Sequence, residues 1–429
     1  MAKLQQEGSS IGSDSPEGIL EVNVTNSPQR ESGQPIVAVN PKDPSNLVFV
    51  STNHVGNHGP TPDKLYCLAA YSIDGGQTWS RTRWPYGDRP YAGHPYLAVD
   101  SHGIFYISFN RLGRPDDPSG EPTGTYNGIP NHLAVSRSRD GGRTWSDPLD
   151  TPLARAVSPR VKVDLANDRI YALGAGERAD AHAVSVSADQ GVTWTPIAPL
   201  PQQPFGNQIA VHDGILATAT ALKLAGREVT TTDVRFWVSF DEGLTFVSYP
   251  VRNGEGALVP APSGPLVPNP KTLASTDPIP WVAADPTRRG GFALMLPRGD
   301  NLEVYISADA GRAWTGPAVI AAPGAAKPAI EFGPTGALGV MWRTLVNDAI
   351  DAYSSVSFDG GKSFCPPLKL NQATHPYGNA SPGGDKWSRI LLDRKYAYIT
   401  WADSRSPETL DGIMSRVPLS LYQSHRGGQ

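Results

Sequence analysis

The chain alternates apolar and polar residues in short runs, and pairs of runs are divided by turns rich in Asp, Asn, Gly and Pro. IVAVNPKDPSNLVFVS (36–51), YLAVDSHGIFYIS (96–108), VKVDLANDRIYAL (161–173) and IAVHDGILATAT (209–220) all read as strand, turn, strand. WVAADPTRRGGFALML (281–296), AIEFGPTGALGVMW (329–342) and ILLDRKYAYITWADSR (390–405) continue the series. A period of two around such turns marks a β-hairpin, so seven hairpins are expected and helix is expected to be nearly absent.

A second signature follows six of these hairpins. SIDGGQTW (72–79), SRDGGRTW (138–145), SADQGVTW (187–194), SFDEGLTF (239–246), SADAGRAW (307–314) and SFDGGKSF (357–364) share Ser-x-Asp-x-Gly-x-(Thr/Ser/Ala)-aromatic. Each octet reads as a tight turn. The Asp carboxylate accepts backbone N–H groups, the Gly takes a positive φ, and the ring packs between sheets. On this reading Asp74, Asp140, Asp189, Asp241, Asp309 and Asp359 are structural rather than catalytic.

The octet resembles the Asp-box, or bacterial neuraminidase repeat, of sialidases and other β-propellers. The resemblance implies an all-β propeller of four-stranded antiparallel blades, with each box in the turn between the third and fourth strands. It also implies that the boxes lie on the face opposite the active site. The seventh hairpin has no box after it, and only DGIMSRVPLSLY (411–422) remains to supply one further strand. ILEVNVTN (19–26) can provide the missing one, so seven blades are expected, the last closed by the N-terminal strand with no free sheet edge left. The expected domain is residues 18–423, with a disordered lead-in (1–17) and tail (424–429). Sialidases have six blades, and the architecture is closer to seven-bladed propeller lyases.

Composition narrows the partners. With 37 Lys+Arg against 41 Asp+Glu the net charge is −4, which gives no electrostatic footprint for nucleic acid. No apolar run approaches the roughly 18 residues that span a membrane. The two cysteines, Cys67 and Cys365, form neither a disulfide framework nor a metal spacing. The polar start shows no leader, so a cytoplasmic location is expected, or secretion if a leader preceded it. No cofactor is required by any motif, a structural calcium has no sequence support, and the oligomeric state is left open. There is no phosphate-cradling glycine motif at a strand–helix junction.

If the boxes occupy one face, the starts of first strands and the second-to-third-strand loops converge on the other. That gathers His54, His58, Tyr91, His94, Arg111, Tyr126, His132, Arg160, Arg178 and His182. The later blades add Trp281, Arg298, Arg343, Trp387, Arg389, Asp403 and Arg405. Three functions fit such a face. The first is a lyase cleaving a uronate-containing glycan by β-elimination. Seven-bladed lyases imply an arginine on the carboxylate, a His or Tyr base and a protonated leaving oxygen. Here His94 or His132 is the expected base, Tyr91 or Tyr126 the acid, and Arg160 with Arg298 the clamp. The remaining residues, His54, Arg111, His182, Trp281, Arg343, Trp387 and Arg389, are expected to bind substrate. The second function is proton transfer, elimination or cyclisation of a non-carbohydrate small molecule, or simple binding of it. The third is sialidase-like hydrolysis, but the family's Arg-Ile-Pro has no match: the first strand opens SGQPIVAVN, with Gln34 before Pro35.

Overall fold

The computed structural model describes residues 18–26, 30–55, 65–85, 92–112, 125–126, 129–153, 155–175, 182–196, 198–200, 208–221, 224–225, 228–229, 233–262, 280–346, 349–376, 388–406 and 409–424. Side chains at several strand ends lie outside that description. Among the described residues seven antiparallel sheets of four or five strands follow in chain order, beside a two-stranded ribbon of Leu224–Ala225 with Glu228–Val229, and each hairpin read from the sequence supplies the first two strands of one blade. The first strands are Arg30–Val39, Ala92–Val99, Arg155–Asp164, Ile209–His212, Trp281–Ala284, Ala325–Phe332 and Arg389–Leu392, which define blades 1 to 7. Each packs beside the first strand of the next blade, and that of blade 7 returns to blade 1, so these strands form the inner ring. Among the described residues the one helix is Leu419–Ser424, six residues after the last strand.

The ring closes as the hairpin count requires. Leu20–Asn23 pairs antiparallel with Thr409–Pro418, with Leu20 opposite Arg416 and Asn23 opposite Ile413. Both chain ends therefore share blade 7. Further bonds fasten it to blade 1: Thr400 Oγ1 donates to the Pro35 carbonyl at 2.7 Å, and Arg416 Nη1 to the Gly75 carbonyl at 2.5 Å. The two segments of the expected lead-in and tail that fall at 1–17 and 425–429 lie outside the described residues.

The boxes occupy the third-to-fourth-strand turns and are held locally. In blade 2 Asp140 Oδ1 accepts from Ser138 Oγ (2.8 Å) and the Thr144 N–H (2.9 Å), while Oδ2 accepts from Thr144 Oγ1 (2.6 Å). Ser138 Oγ in turn accepts the Gly142 N–H at 2.8 Å. Gly142 has φ of 90°, and a Cβ there would stand 2.5 Å from Val48 Cγ2 of blade 1. The glycine is thus required twice, by backbone hand and by close approach to the preceding blade. The box ring also bridges blades: Trp314 of blade 5 meets Phe236 of blade 4 edge-on at 5.0 Å, with its Nε1 donating to the Gly311 carbonyl.

Candidate functional site

The inner strands do not run smoothly from mouth to boxes. Those of blades 1, 2, 3 and 6 slip register at an x-Pro dipeptide: Gln34-Pro35, His94-Pro95, Ser158-Pro159 and Lys327-Pro328. Gln34, His94 and Lys327 all take left-handed φ, between 50° and 55°. Such a conformation costs a non-glycine residue roughly 1 kcal/mol or more and persists where packing imposes it. It brings side chains of neighbouring blades together: Nε2 and Oε1 of the buried Gln34 lie 3.0 and 3.1 Å from His94 Nδ1. Thr52 Oγ1 donates to the same amide oxygen at 3.4 Å. An amide can donate to the ring nitrogen or accept from it, so Gln34 supports His94 in either protonation state.

The residue where pairing resumes after each slip occupies one level of the ring. Pairing places Ile36, Tyr96, Arg160, Ile209, Trp281, Ala329 and Arg389 at equivalent positions in blades 1 to 7. Tyr96 lies between two guanidinium groups, with Arg389 Cζ 5.0 Å and Arg160 Cζ 5.8 Å from its ring centroid. Arg389 belongs to blade 7 and Tyr96 to blade 2, so their contact passes across the mouth of blade 1. Arg389 Nη1 donates to the Leu97 carbonyl at 3.3 Å, and its buried Nε has no hydrogen-bond partner among the described residues. Arg160 is 4% exposed, whereas Tyr96 and His94 are partly exposed.

Two residues deeper, Lys162 Nζ meets Glu331 Oε2 at 2.8 Å, with side chains 17% and 23% exposed. These residues come from blades 3 and 6, three places apart on a ring of seven, so the pair spans its interior. The group therefore holds three cations, Arg160, Lys162 and Arg389, against one carboxylate, Glu331. Burial pushes the Tyr96 phenol up, but Arg389, then Lys162 and Arg160, outweigh both burial and the opposing Glu331 charge. The phenol consequently sits below the ordinary tyrosine range. Tyr106, Tyr171, Tyr305, Tyr398 and Tyr422 go the other way, raised foremost by burial.

Of the residues expected at the mouth, the structure brings His94, Arg160 and Arg389 into one group and adds Tyr96, Lys162, Glu331 and Gln34. The arginine that joins Arg160 at the phenol is Arg389. Arg298 is engaged elsewhere: its Nε donates to Glu303 Oε2 at 3.1 Å, and its guanidinium also holds the carbonyls of Pro260 and Ala261. Trp281, at 8% exposure, packs in the core of blades 5 to 7. Arg343 is fully buried and donates from Nη1 to the Ala402 carbonyl at 2.9 Å. Asp403, the residue after Ala402, is buried and accepts from Trp401 Nε1 at 3.1 Å.

The other expected residues are outside that view. His58, Tyr91, Arg178 and Trp387 lie outside the described residues, as do the side chains of His54, Arg111, Tyr126, His132, His182 and Arg405. Backbone pairing nevertheless sets His132 opposite Arg111, which in turn faces Ala92 at the start of the inner strand. Tyr96 directly follows the proline of its x-Pro dipeptide, as Arg160 does, and that shared register is the sequence signal for it.

Comparison with known proteins agrees with this architecture. The BNR/Asp-box repeat model matches residues 70–81, the first box with its flanking strand residues. No curated protein matches the chain in sequence. Among solved structures, a protein of unknown function from Dyadobacter fermentans DSM 18053 superposes with a TM-score of 0.50 at 15% identity, covering 94% of this chain and 100% of that one. A polysaccharide lyase family 25 ulvan lyase bound to -[GlcA(1-4)Rha3S]- gives 0.49 at 12% identity, covering 95% and 99%. The Trypanosoma rangeli sialidase in complex with 2,3-difluorosialic acid gives 0.47 at 10% identity, covering 92% of this chain and 56% of that one. At these identities the likeness is one of fold. The chain is a seven-bladed β-propeller that carries the octet six times, the first copy matched by the BNR/Asp-box repeat model.

Proposed function

We propose that this propeller is a carbohydrate-active lyase that cleaves a uronate-containing glycan by β-elimination at the Tyr96 cluster. The observation that carries the reading is a partly exposed phenol, held below its ordinary pKa between Arg389 and Arg160. Guanidinium recognises a carboxylate as a planar fork, which suits Arg389 and Arg160 to hold one.

The chemistry follows from charge. A uronate carboxylate set against the two guanidiniums is neutralised, which acidifies the proton on carbon 5 of the sugar. Tyr96, as phenolate, takes that proton. The electron pair left behind spreads into the carboxylate, where the arginines hold the developing charge. It then expels the glycosidic oxygen from carbon 4 and forms the double bond between carbons 4 and 5. His94, steadied by Gln34 one level nearer the mouth, donates the proton that the leaving oxygen takes up. No water enters the products, which distinguishes the reaction from hydrolysis.

The test is direct. Incubation with uronate-containing oligosaccharides should produce the ultraviolet absorbance of an unsaturated uronate, and Arg389→Met should lower the rate about tenfold or more by removing one carboxylate donor. Reducing ends released without that absorbance would mean hydrolysis. No cleavage across a broad panel of uronate glycans would remove the lyase reading in favour of a small-molecule substrate.

A further inference from the structure

The Lys162–Glu331 pair takes no part in the elimination just described, yet it lies where a propeller's axis would otherwise run open. Its residues follow Arg160 and Ala329 by two positions on their strands, so they share strand faces with the level that holds Tyr96. At the same depth the other blades carry Ala38, Ala98, Val211, Ala283 and Leu391, uncharged residues of which three are alanine. The small side chains leave room for a lysine to reach an opposite blade. A partly buried pair of this kind loses hydration on folding and is weak evidence for stability, so its placement asks for another account.

We propose that the Lys162–Glu331 pair is a positioning device for the site: it fixes how much positive charge the phenol and an incoming anion meet. Among the described residues, the charges that act on Tyr96 are Arg389, Lys162, Arg160 and Glu331, and Lys327 of blade 6 stands at the depth of His94. Blade 3 supplies Arg160 and Lys162, blade 7 Arg389 and blade 6 Glu331, while His94 stands on the same strand and blade 1 presents Ile36 at this level. Glu331 restrains Lys162. Without the carboxylate the lysine would act on Tyr96 unopposed, and without the lysine a lone anion would lie below it.

The inference deepens the elimination reading and rests on it for the purpose of the site, but its measurement needs no substrate. Tyrosinate absorbance is followed through an alkaline titration, each variant being compared with the same variant carrying Tyr96→Phe. The difference isolates Tyr96, which ionises ahead of the burial-raised tyrosines. Glu331→Gln should move its midpoint to lower pH and Lys162→Met to higher pH. The double variant, which leaves no lone charge, should move it upward by less than Lys162→Met alone, since Lys162 outweighs Glu331 in its effect on the phenol. Thermal melts establish that each variant is folded. Folded single variants with the parent's midpoint would overturn the proposal. Should the singles not fold, the double variant decides, and an unmoved midpoint there overturns it equally. Midpoints that move as expected in a protein that cleaves no uronate glycan would leave the device standing and the lyase reading fallen.

Discussion

Asp140 and Tyr96 belong to the same blade, and both are acids held below their ordinary pKa, but the causes lie at very different distances along the chain. Burial acts against Asp140, and hydrogen bonds from Thr144 and Ser138, all within one octet, overcome it. Burial also acts against Tyr96, but what overcomes it is charge from blades 7 and 3. One acid is tuned by its own turn, and the same turn recurs six times. The other is tuned by a single meeting of strands from four blades, and it occurs once. Repetition in a propeller therefore marks scaffold, while chemistry collects where the repeat is broken at equivalent positions.

That contrast is open to measurement, and the largest effect should fall on turnover. Tyr96→Phe keeps the ring between the arginines but removes the ionisable oxygen. The elimination rate should drop by roughly 10²–10⁴-fold, the range for loss of a general base, with the melting temperature nearly unchanged. Asp140→Ala should give the reverse pattern. Activity surviving in the phenylalanine variant and lost in the Asp140 variant would invert the assignment of the two faces.

The next effect falls on stability. In Gly142→Ala the new methyl would meet Val48 Cγ2 at 2.5 Å and Tyr71 Cβ at 3.1 Å, at a φ of 90°. Destabilisation of about 2–3 kcal/mol is expected from overpacking plus backbone strain, read from denaturant melts. A variant as stable as the parent would show that the box does not need its close approach to the preceding blade. Asp140→Ala should cost less, about 1 kcal/mol, because its bonds are at an exposed turn where water substitutes for part of what is lost.

The smallest effect is collective. Asp189 is held at about 2 against an ordinary 3.8, first by the Thr193 hydroxyl, and Asp74, Asp140 and Asp241 are lowered as well. A carboxylate with a depressed folded-state pKa leaves the unfolded chain binding protons first. Its stabilisation is complete above pH 3.8 and is lost as pH falls toward 2. The melting temperature should decline over that window, and Asp189→Asn should flatten the decline. A slope unchanged by that substitution would assign acid sensitivity elsewhere.

The legible and illegible parts of this chain divide by range of interaction. The blade count, the box turns and the closure of blade 7 by residues 20–23 were all readable, because period-two alternation and Ser-x-Asp-x-Gly turns are encoded within a dozen residues. The face carrying His94, Arg160 and Arg389 was readable one step further, from strand direction alone. Tyr96 was not, although it stands two residues after His94, because apolar alternation around it reads as ordinary strand packing.

By itself, then, the sequence determined a seven-bladed ring and the side of it on which loops converge, since both follow from local turns and strand alternation. Only the tertiary structure decided that Arg160 is joined at the phenol by Arg389 rather than Arg298, and that Lys162 reaches Glu331 across the ring. Arg389 donates to the Leu97 carbonyl 292 positions away, and Lys162 lies 169 positions from Glu331. The register of each inner strand sets them, through where the chain slips at an x-Pro step and resumes pairing, and that depth emerges when seven blades pack around one axis.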